Sequence, residues 1–181
     1  ERDGTADVAT ADGVRTLAVL PFENLGDSAD RYFADGVTDE VRGKLASLPG
    51  LQVIARSSSG QYKKSSKSPQ EIGRELGVDY LLTGTVRWKK SAGGNRVRVS
   101  PELIRVGTAA TTWQQPFDAS ITDVFQVQAD IAGRVAEALD VALGAPQKRT
   151  LAEKPTDNLP AYEAFLKGEE VSEGLGTADP R

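Results

Sequence analysis

The chain has 181 residues, 39% of them apolar and 27% charged, and its formal net charge is −4 at pH 7. It contains no cysteine and no histidine, which excludes thiol nucleophiles, disulfides, thiolate or imidazole metal sites and side chains that ordinarily titrate near neutrality. No run of about 18 apolar residues, the length that a membrane-spanning helix needs, occurs in it. We therefore expect one modest domain with no catalytic, cofactor or metal site.

The charge is distributed unevenly along the chain. Residues 1–12 carry one basic and four acidic groups, residues 13–150 carry 18 and 15, and residues 151–181 carry three and seven. The middle is nearly neutral and gives no global nucleic-acid footprint. Residues 1–13 lack an apolar period and predict a flexible leader. Because the chain starts at Glu1 and stops within a helical pattern, we expect it to be a piece of a longer protein.

Two short apolar runs predict the first strands. Residues 15–22 and 51–55 are of the kind found in strands buried on both faces. Between them, apolar residues recur every three or four positions and predict an amphipathic helix; they are Phe33, Val37, Val41, Leu45 and Leu48. Gly36 lies inside this pattern, and its low helix propensity predicts a break after the first turn.

A polar segment and a second helix follow. Half of residues 57–68 are serine and three are lysine, which predicts a long exposed loop. Ser68, Pro69 and Glu71 have the spacing of a capping box, so a helix is expected to begin here and to end at Gly77.

The second half predicts a meander and a long helix. Residues 79–90 and 96–106 are β-rich and are joined by the hairpin signal at residues 91–95. Residues 110–117 predict one more strand, and an apolar stripe from residue 124 to 142 predicts the last long helix, with Ser120 as its cap. Pro101 cannot donate to a sheet, so its strand is expected to bulge or to expose an edge there.

These elements predict an α/β fold with a mixed five-stranded sheet in the order β-α-β-α-β-β-β-α, with helices packed on the sheet. Both early strands are expected to be internal. We place this domain at residues 14–145, a polar linker at residues 146–159 and the start of a helical region at residues 160–181.

The loop and the adjoining end of the sheet form the first candidate interaction surface, because α/β folds place ligands at strand ends. Its candidate residues are Ser57, Ser58, Tyr62, Lys63, Lys64 and Lys67. Two interpretations of the Tyr62 ring remain open, since a lone ring in a polar loop either tacks the loop to the core or marks a contact surface. The serines could also accept phosphate, although a plain solvated loop is the simpler interpretation.

A second candidate surface is cationic. Arg87, Lys89, Arg96 and Arg98 lie on the predicted hairpin and could face a polyanion. Trp88 has the parity of Leu82 and Val86, so its ring is expected to enter the core rather than to stack on bases. Nucleic acid is therefore not the partner that we expect first.

Two patterns that suggest catalysis are weaker. Residues 36–44 end in Gly-Lys, but they do not have the spacing of a phosphate loop, and Leu45 stands where such a loop needs serine or threonine. Asp35, Asp39 and Glu40 lie close together on the predicted helix. The sequence shows no cationic or apolar neighbour that would give these carboxyl groups different pKa values, as acid and base catalysis requires. We interpret them as a solvated helix face.

Five segments in order resemble the TolB amino-terminal-like (FlgO-like) domain. They are LAVLPF at 17–22, YFADG at 32–36, LQVIARS at 51–57, ELGVDYLLTGTV at 75–86 and RVRV at 96–99. In bacterial proteins such a domain commonly lies between an amino-terminal Ser/Thr kinase, cyclase or winged-helix regulator and carboxy-terminal tetratricopeptide repeats. The sequence NLPAYEAFLKG at 158–168 resembles the lead-in to those repeats.

The resemblance implies a non-catalytic sensory or scaffold domain that binds a protein partner or a small ligand. It also implies a tether through an upstream segment and a location on the periplasmic or extracellular face. Two alternatives stay open: a polyanion-binding module that uses the cationic residues, and a structural subunit that self-assembles into a homo-oligomer through strand edges.

Overall fold

Seven strands form one mixed sheet in the computed structural model, which describes residues 14–156 and 158–175, with side chains up to residue 169. The strands are β1 (Arg15–Val19), β2 (Glu23–Asn24), β3 (Leu51–Val53), β4 (Tyr80–Lys89), β5 (Arg96–Arg105), β6 (Ala110–Gln114) and β7 (Phe117–Ser120). The helices are α1 (Arg31–Ala46), α2 (Arg56–Ser59), α3 (Pro69–Leu76), α4 (Val124–Ala138), α5 (Ala145–Ala152) and α6 (Leu159–Leu175). The predicted leader at residues 1–13 lies outside the described residues.

The predicted α/β class is confirmed, but the expected five strands and their order are not. The main path through the sheet is β3-β1-β4-β5-β6, with β1 parallel to both of its neighbours and β4, β5 and β6 antiparallel. Within the described residues β3 pairs only with β1. The expectation that both early strands are internal is therefore wrong for β3, whose middle residue Gln52 is exposed.

Prolines account for the two additional strands. The first predicted strand, residues 15–22, ends at Val19, and a short strand that was not predicted, β2, follows Pro21 and also runs beside β4. The last predicted strand, residues 110–117, ends at Gln114, and β7 begins after Pro116 and extends beyond the predicted range. As a result β7 pairs with residues 96–99 of β5 and β6 pairs with residues 102–105. Pro101 lies opposite this gap, where its missing N–H leaves no partner unsatisfied. The one register shift that the structure records between β5 and β6 falls between Leu103 and Ile104.

Two helices cover one face of the sheet and form the main core. The predicted apolar stripe of α1 is buried, and α4 packs beside it. The helix α4 has 15 residues and follows a 3-10 turn at Ile121–Asp123, and the Ser120 side chain does not cap it. The predicted cap of α3 is confirmed: Ser68 and Glu71 form both hydrogen bonds of a capping box, and Gly77 is left-handed with φ 67°.

The opposite face is covered at one end only. There α3 places Ile72 in a small second core with Ala18, Val78, Leu81 and Val106. Beyond this cluster the outward side chains of β4 and β5 are only partly buried or exposed. One half of this sheet face is therefore open to solvent.

The segment predicted as a linker contains α5, which α1 holds in place. The Nζ atom of Lys44 donates to the carbonyl oxygens of Leu151 at 2.6 Å and of Glu153 at 2.7 Å, at the carboxyl end of α5. Such cationic contacts suit the free carbonyls of a helix end. Burial lowers the pKa of Lys44 from its usual value.

The helix α6 docks on α1 and α4. Tyr162 and Leu166 are buried, and the Tyr162 ring meets Phe125 edge-on at 5.0 Å between centroids. Gly36 lies beneath Leu166, where an added Cβ would come within 2.5 Å of the leucine Cδ1. The predicted break at Gly36 is wrong, because α1 continues through it and the glycine makes room for α6. Among the described helices, none combines the length and the apolar character that a membrane crossing requires.

Candidate functional site

A cleft of about 540 Å³ opens at the carboxyl ends of β1 and β3. The wall on one side is α1, and the wall on the other is α2 with the 3-10 turn at Gly60–Tyr62 that follows it. Parallel strands leave such crevices at their carboxyl ends, and α/β proteins use them to bind ligands. We call this the strand-end cleft.

Ion pairs cross the strand-end cleft. Lys63 Nζ lies 2.8 Å from Asp35 Oδ2, and Arg56 Nη1 lies 3.3 Å from Asp39 Oδ2. Arg42 approaches Asp39 from the same helix at 3.9 Å. The two carboxylates therefore face cations instead of each other, which is an arrangement for binding or for holding two elements together rather than for acid and base catalysis.

Asp39 is the most enclosed carboxylate of the cleft, with 24% of its side chain exposed. Burial raises the pKa of Asp39 above its usual value, and the nearby cations Arg56 and Arg42 offset part of that rise. Glu169 of α6 raises the pKa further. The pKa of Asp39 therefore depends both on charges in the cleft and on a charge of α6.

We expect Asp39→Asn to raise the melting temperature at pH 7. A raised pKa means that the folded state holds the proton more tightly than the unfolded state does, so stability falls as pH rises through the folded pKa. The amide removes that penalty, and the gain should shrink as pH falls toward 4 and Asp39 itself becomes protonated. Thermal unfolding across this pH range measures it. Asp35→Asn, which removes the carboxylate paired with Lys63, is the control and should give no gain. A loss of stability in Asp39→Asn at pH 7 would contradict the assignment.

The structure separates the six predicted interaction residues. Ser57 and Lys63 line the strand-end cleft, whereas Tyr62, Lys64 and Lys67 line a neighbouring groove of about 790 Å³, which Lys63 also borders. Ser58 lines neither. Sequence patterns did not predict that Ser59 is buried at the cleft or that the pair between Arg56 and Asp39 crosses it.

The predicted exposed loop is exposed at residues 63–68, but its first half forms helical turns. It begins with α2 and the 3-10 turn, and its Tyr62 packs against the second core. The Tyr62 hydroxyl donates to Glu75 at 2.6 Å, and Lys67 Nζ donates to the same carboxylate at 2.5 Å. Of the two interpretations of Tyr62, the structure therefore supports the one in which the ring tacks the segment to the domain.

The four predicted cations are brought together on the open half of the sheet. Arg87 lies directly opposite Arg98, and Lys89 lies directly opposite Arg96, in the register of β4 and β5. Trp88 enters the core as predicted, with its ring 4.7 Å from that of Phe33.

The comparisons with known proteins identify a family and a fold. A family model described as "HilA/YgeH-like transcriptional regulator, second domain" matches residues 13–134. A protein of Rhizobium meliloti (strain 1021) named "Putative adenylate cyclase 3" is 34% identical over 157 residues, which are 86% of this chain and 26% of that protein. The chain thus spans about a quarter of the length of this curated relative.

Solved structures are similar in fold at low sequence identity. A PelC variant dodecamer from Paraburkholderia phytofirmans has a TM-score of 0.50 and 20% identity, over 71% of this chain and 90% of that chain. TolB from Acinetobacter baumannii has a TM-score of 0.49 and 18% identity, over 71% of this chain and 29% of that chain. The PelC likeness supports the fold alone.

Proposed function

The chain belongs to the family described as HilA/YgeH-like transcriptional regulator, second domain, and on that premise we propose that it is a non-catalytic accessory domain of a longer signalling protein. In this role a protein partner or a small ligand binds at the strand-end cleft, and binding changes how the domain packs against the attached segments. The family description names a transcriptional regulator and the relative is named for a cyclase. A shared domain beside different effectors favours a role that does not depend on the effector's chemistry.

The observation that supports this proposal most directly is that α1 both lines the strand-end cleft and packs against α6. Its residues Asp35, Thr38 and Asp39 line the strand-end cleft. Gly36 in the same helix lies against the Leu166 side chain of α6. Asp39 also borders the space between α1 and α6. A shift of α1 on binding would therefore change the packing of α6, since packed helices move between discrete arrangements.

We propose that α6 begins a helical region of the tetratricopeptide type. The Asn158 side chain accepts from the backbone N–H of Ala161 and caps the helix, and Pro160 lies in its first turn. Phe165 of α6 is 58% exposed, which is unusual for a phenylalanine. A following helix of a repeat would cover it, because stacked repeats bury their apolar faces against each other.

A chimera tests the coupling. This chain replaces the matching region of the Rhizobium meliloti relative, and cyclic AMP formation is compared for Gly36→Leu and Gly43→Leu. Gly36→Leu should change the output several-fold because it displaces α6, whereas Gly43→Leu should not, since Gly43 is exposed and a Cβ added there meets no atom within 4 Å. The isolated chain should form no cyclic AMP from Mg-ATP. Equal output from both variants, or turnover by the isolated chain, would contradict the proposal.

The location of the domain and its self-association remain predictions. The upstream tether and the periplasmic or extracellular location rest on the resemblance alone. Self-association through a strand edge is the alternative role, and it is favoured by the edge position of β3 in the described sheet. The PelC neighbour is named as a dodecamer.

A further inference from the structure

The face of the sheet opposite α1 and α4 changes from apolar to cationic along β4 and β5. On β4 and β5 its cross-strand pairs run from Leu81 with Ile104, under α3, through hydroxyl-bearing residues to two pairs of cations. The polar pairs are Thr83 with Glu102, Thr85 with Ser100, Arg87 with Arg98, and Lys89 with Arg96. We call the last four residues the cationic face.

Like charges oppose each other on the cationic face. Side chains directly opposite in an antiparallel pair lie about 5 Å apart at Cβ, and like charges in that position are destabilising. The structure nevertheless stacks two such pairs in succession, all four side chains being exposed. An arrangement that costs stability and contributes nothing to the core is typical of a binding surface.

Few carboxylates neutralise the cationic face. Arg98 Nη1 lies 3.6 Å from Asp118 Oδ2, in a pair whose two side chains are more than half exposed. No ion pair within the described part of the chain engages Arg87, Lys89 or Arg96. Lys90, the next cation along the chain, is occupied elsewhere, since its Nζ lies 2.7 Å from the buried Asp30.

The chemistry of the cationic face fits phosphodiester groups. Three of its four cations are arginines, whose planar guanidinium binds phosphate in a bidentate manner. They line a groove of about 460 Å³ together with the hydroxyl-bearing Thr85 and Ser100. Phosphate contacts in protein complexes with DNA come from this combination of cations and hydroxyls.

Two absences among the described residues decide between partners. The groove contains no aromatic side chain, and the Trp88 ring lies on the opposite face. Stacking on single-stranded bases therefore has no platform here. Leu25, 44% exposed, is the only exposed large apolar side chain that lines the groove, whereas protein partners are usually anchored by several buried apolar and aromatic residues.

We infer that the cationic face binds the phosphate backbone of a nucleic-acid duplex, without reading its sequence. This role goes beyond the proposed coupling function and does not depend on it. It requires the domain to face the compartment that holds nucleic acid, and it therefore competes with the periplasmic location.

Fluorescence anisotropy with a labelled duplex DNA tests the inference. The chain should bind at about 50 mM salt, and the slope of log K against log salt should be near −3.6 for four phosphates. The double variant Arg87→Gln with Arg98→Gln should weaken binding about tenfold and halve that slope. The matched control is Lys148→Gln with Arg149→Gln, which removes two exposed cations of α5 and should leave binding unchanged within about twofold.

Thermal unfolding of the same variants keeps the test interpretable. Arg87→Gln with Lys89→Gln, which removes one cation from each opposed pair and no ion pair, should fold with an unchanged or higher melting temperature and should also weaken binding. Absence of DNA binding at about 100 µM chain and low salt would overturn the inference. An equal loss of DNA affinity in the Lys148→Gln and Arg149→Gln variant would overturn it, because binding would then depend on the total positive charge and not on the cationic face. Binding of poly-glutamate as tight as that of DNA would overturn it in favour of an acidic protein partner.

Discussion

Gly84→Ala is expected to lower the free energy of unfolding by more than about 2 kcal/mol. Gly84 lies in β4 directly opposite Pro101. An added Cβ would lie 2.9 Å from the Ser100 carbonyl oxygen and 3.0 Å from Pro101 Cα. Both contacts are with backbone atoms inside a paired strand, so neither can rotate away. Urea unfolding monitored by the fluorescence of the two tryptophans measures the loss.

The control for this substitution lies in α1. Gly43 is exposed there, and an added Cβ meets no atom within 4 Å. Gly43→Ala should therefore raise the free energy of unfolding by about 0.5–1 kcal/mol, because alanine is the better helix former. If Gly84→Ala were as stable as the parent chain, the close approach of β4 and β5 at this pair would be wrong.

The second large effect is expected from Gly36→Leu, which should detach α6. A leucine at residue 36 would occupy the space of the Leu166 side chain. Detachment exposes Tyr162 and Leu166, each of which contributes about 2–3 kcal/mol by its burial. Urea unfolding followed by circular dichroism should then show an early loss of helix, while tryptophan fluorescence, which reports on the sheet and its core, changes later.

Gly43→Leu is the matched control, since it places the same side chain in the same helix at an exposed position. Both signals should coincide in this variant and in the parent chain, as they do in a two-state transition. Coinciding signals in Gly36→Leu as well would show that the leucine is accommodated and that Gly36 does not control the docking of α6.

Local patterns predicted much of the fold. The stripe from Phe33 to Leu48, the cap at Ser68 and the hairpin at residues 91–95 each depend on residues close in sequence, and the structure confirms all three. The alternation along β4 placed Arg87 on the outer face and Trp88 in the core for the same reason. A period of two along a strand fixes sides without any tertiary information.

Long-range packing accounts for what the sequence did not predict. The sequence predicts a break at Gly36 because helix propensity is a local quantity, whereas the glycine makes room for Leu166, 130 residues away. The pair between Arg56 and Asp39 and the cap that Lys44 provides to α5 also join separate segments. Neither has a signature in the spacing of the residues that form it.

The predicted number of strands was wrong for a different reason. Pro21 and Pro116 are visible in the sequence, but a proline in an apolar run can end a strand or sit at a tolerated edge. The choice depends on the neighbouring strand. Here β4 and β5 continue past both prolines, so β4 pairs with β1 before Pro21 and with β2 after it, and β5 pairs with β6 before Pro116 and with β7 after it.

The proposed coupling requires α6 to belong to the same folded unit as the sheet, so that α1 connects the strand-end cleft to the segment that follows. Hydrogen exchange of the parent chain, resolved to residues 159–169, tests this requirement. We expect these amides to exchange as slowly as those of α1 and α4, through the same global opening. Exchange of α6 at the rate of an unstructured peptide, while α1 and α4 stay protected, would show that α6 is not part of this folded unit.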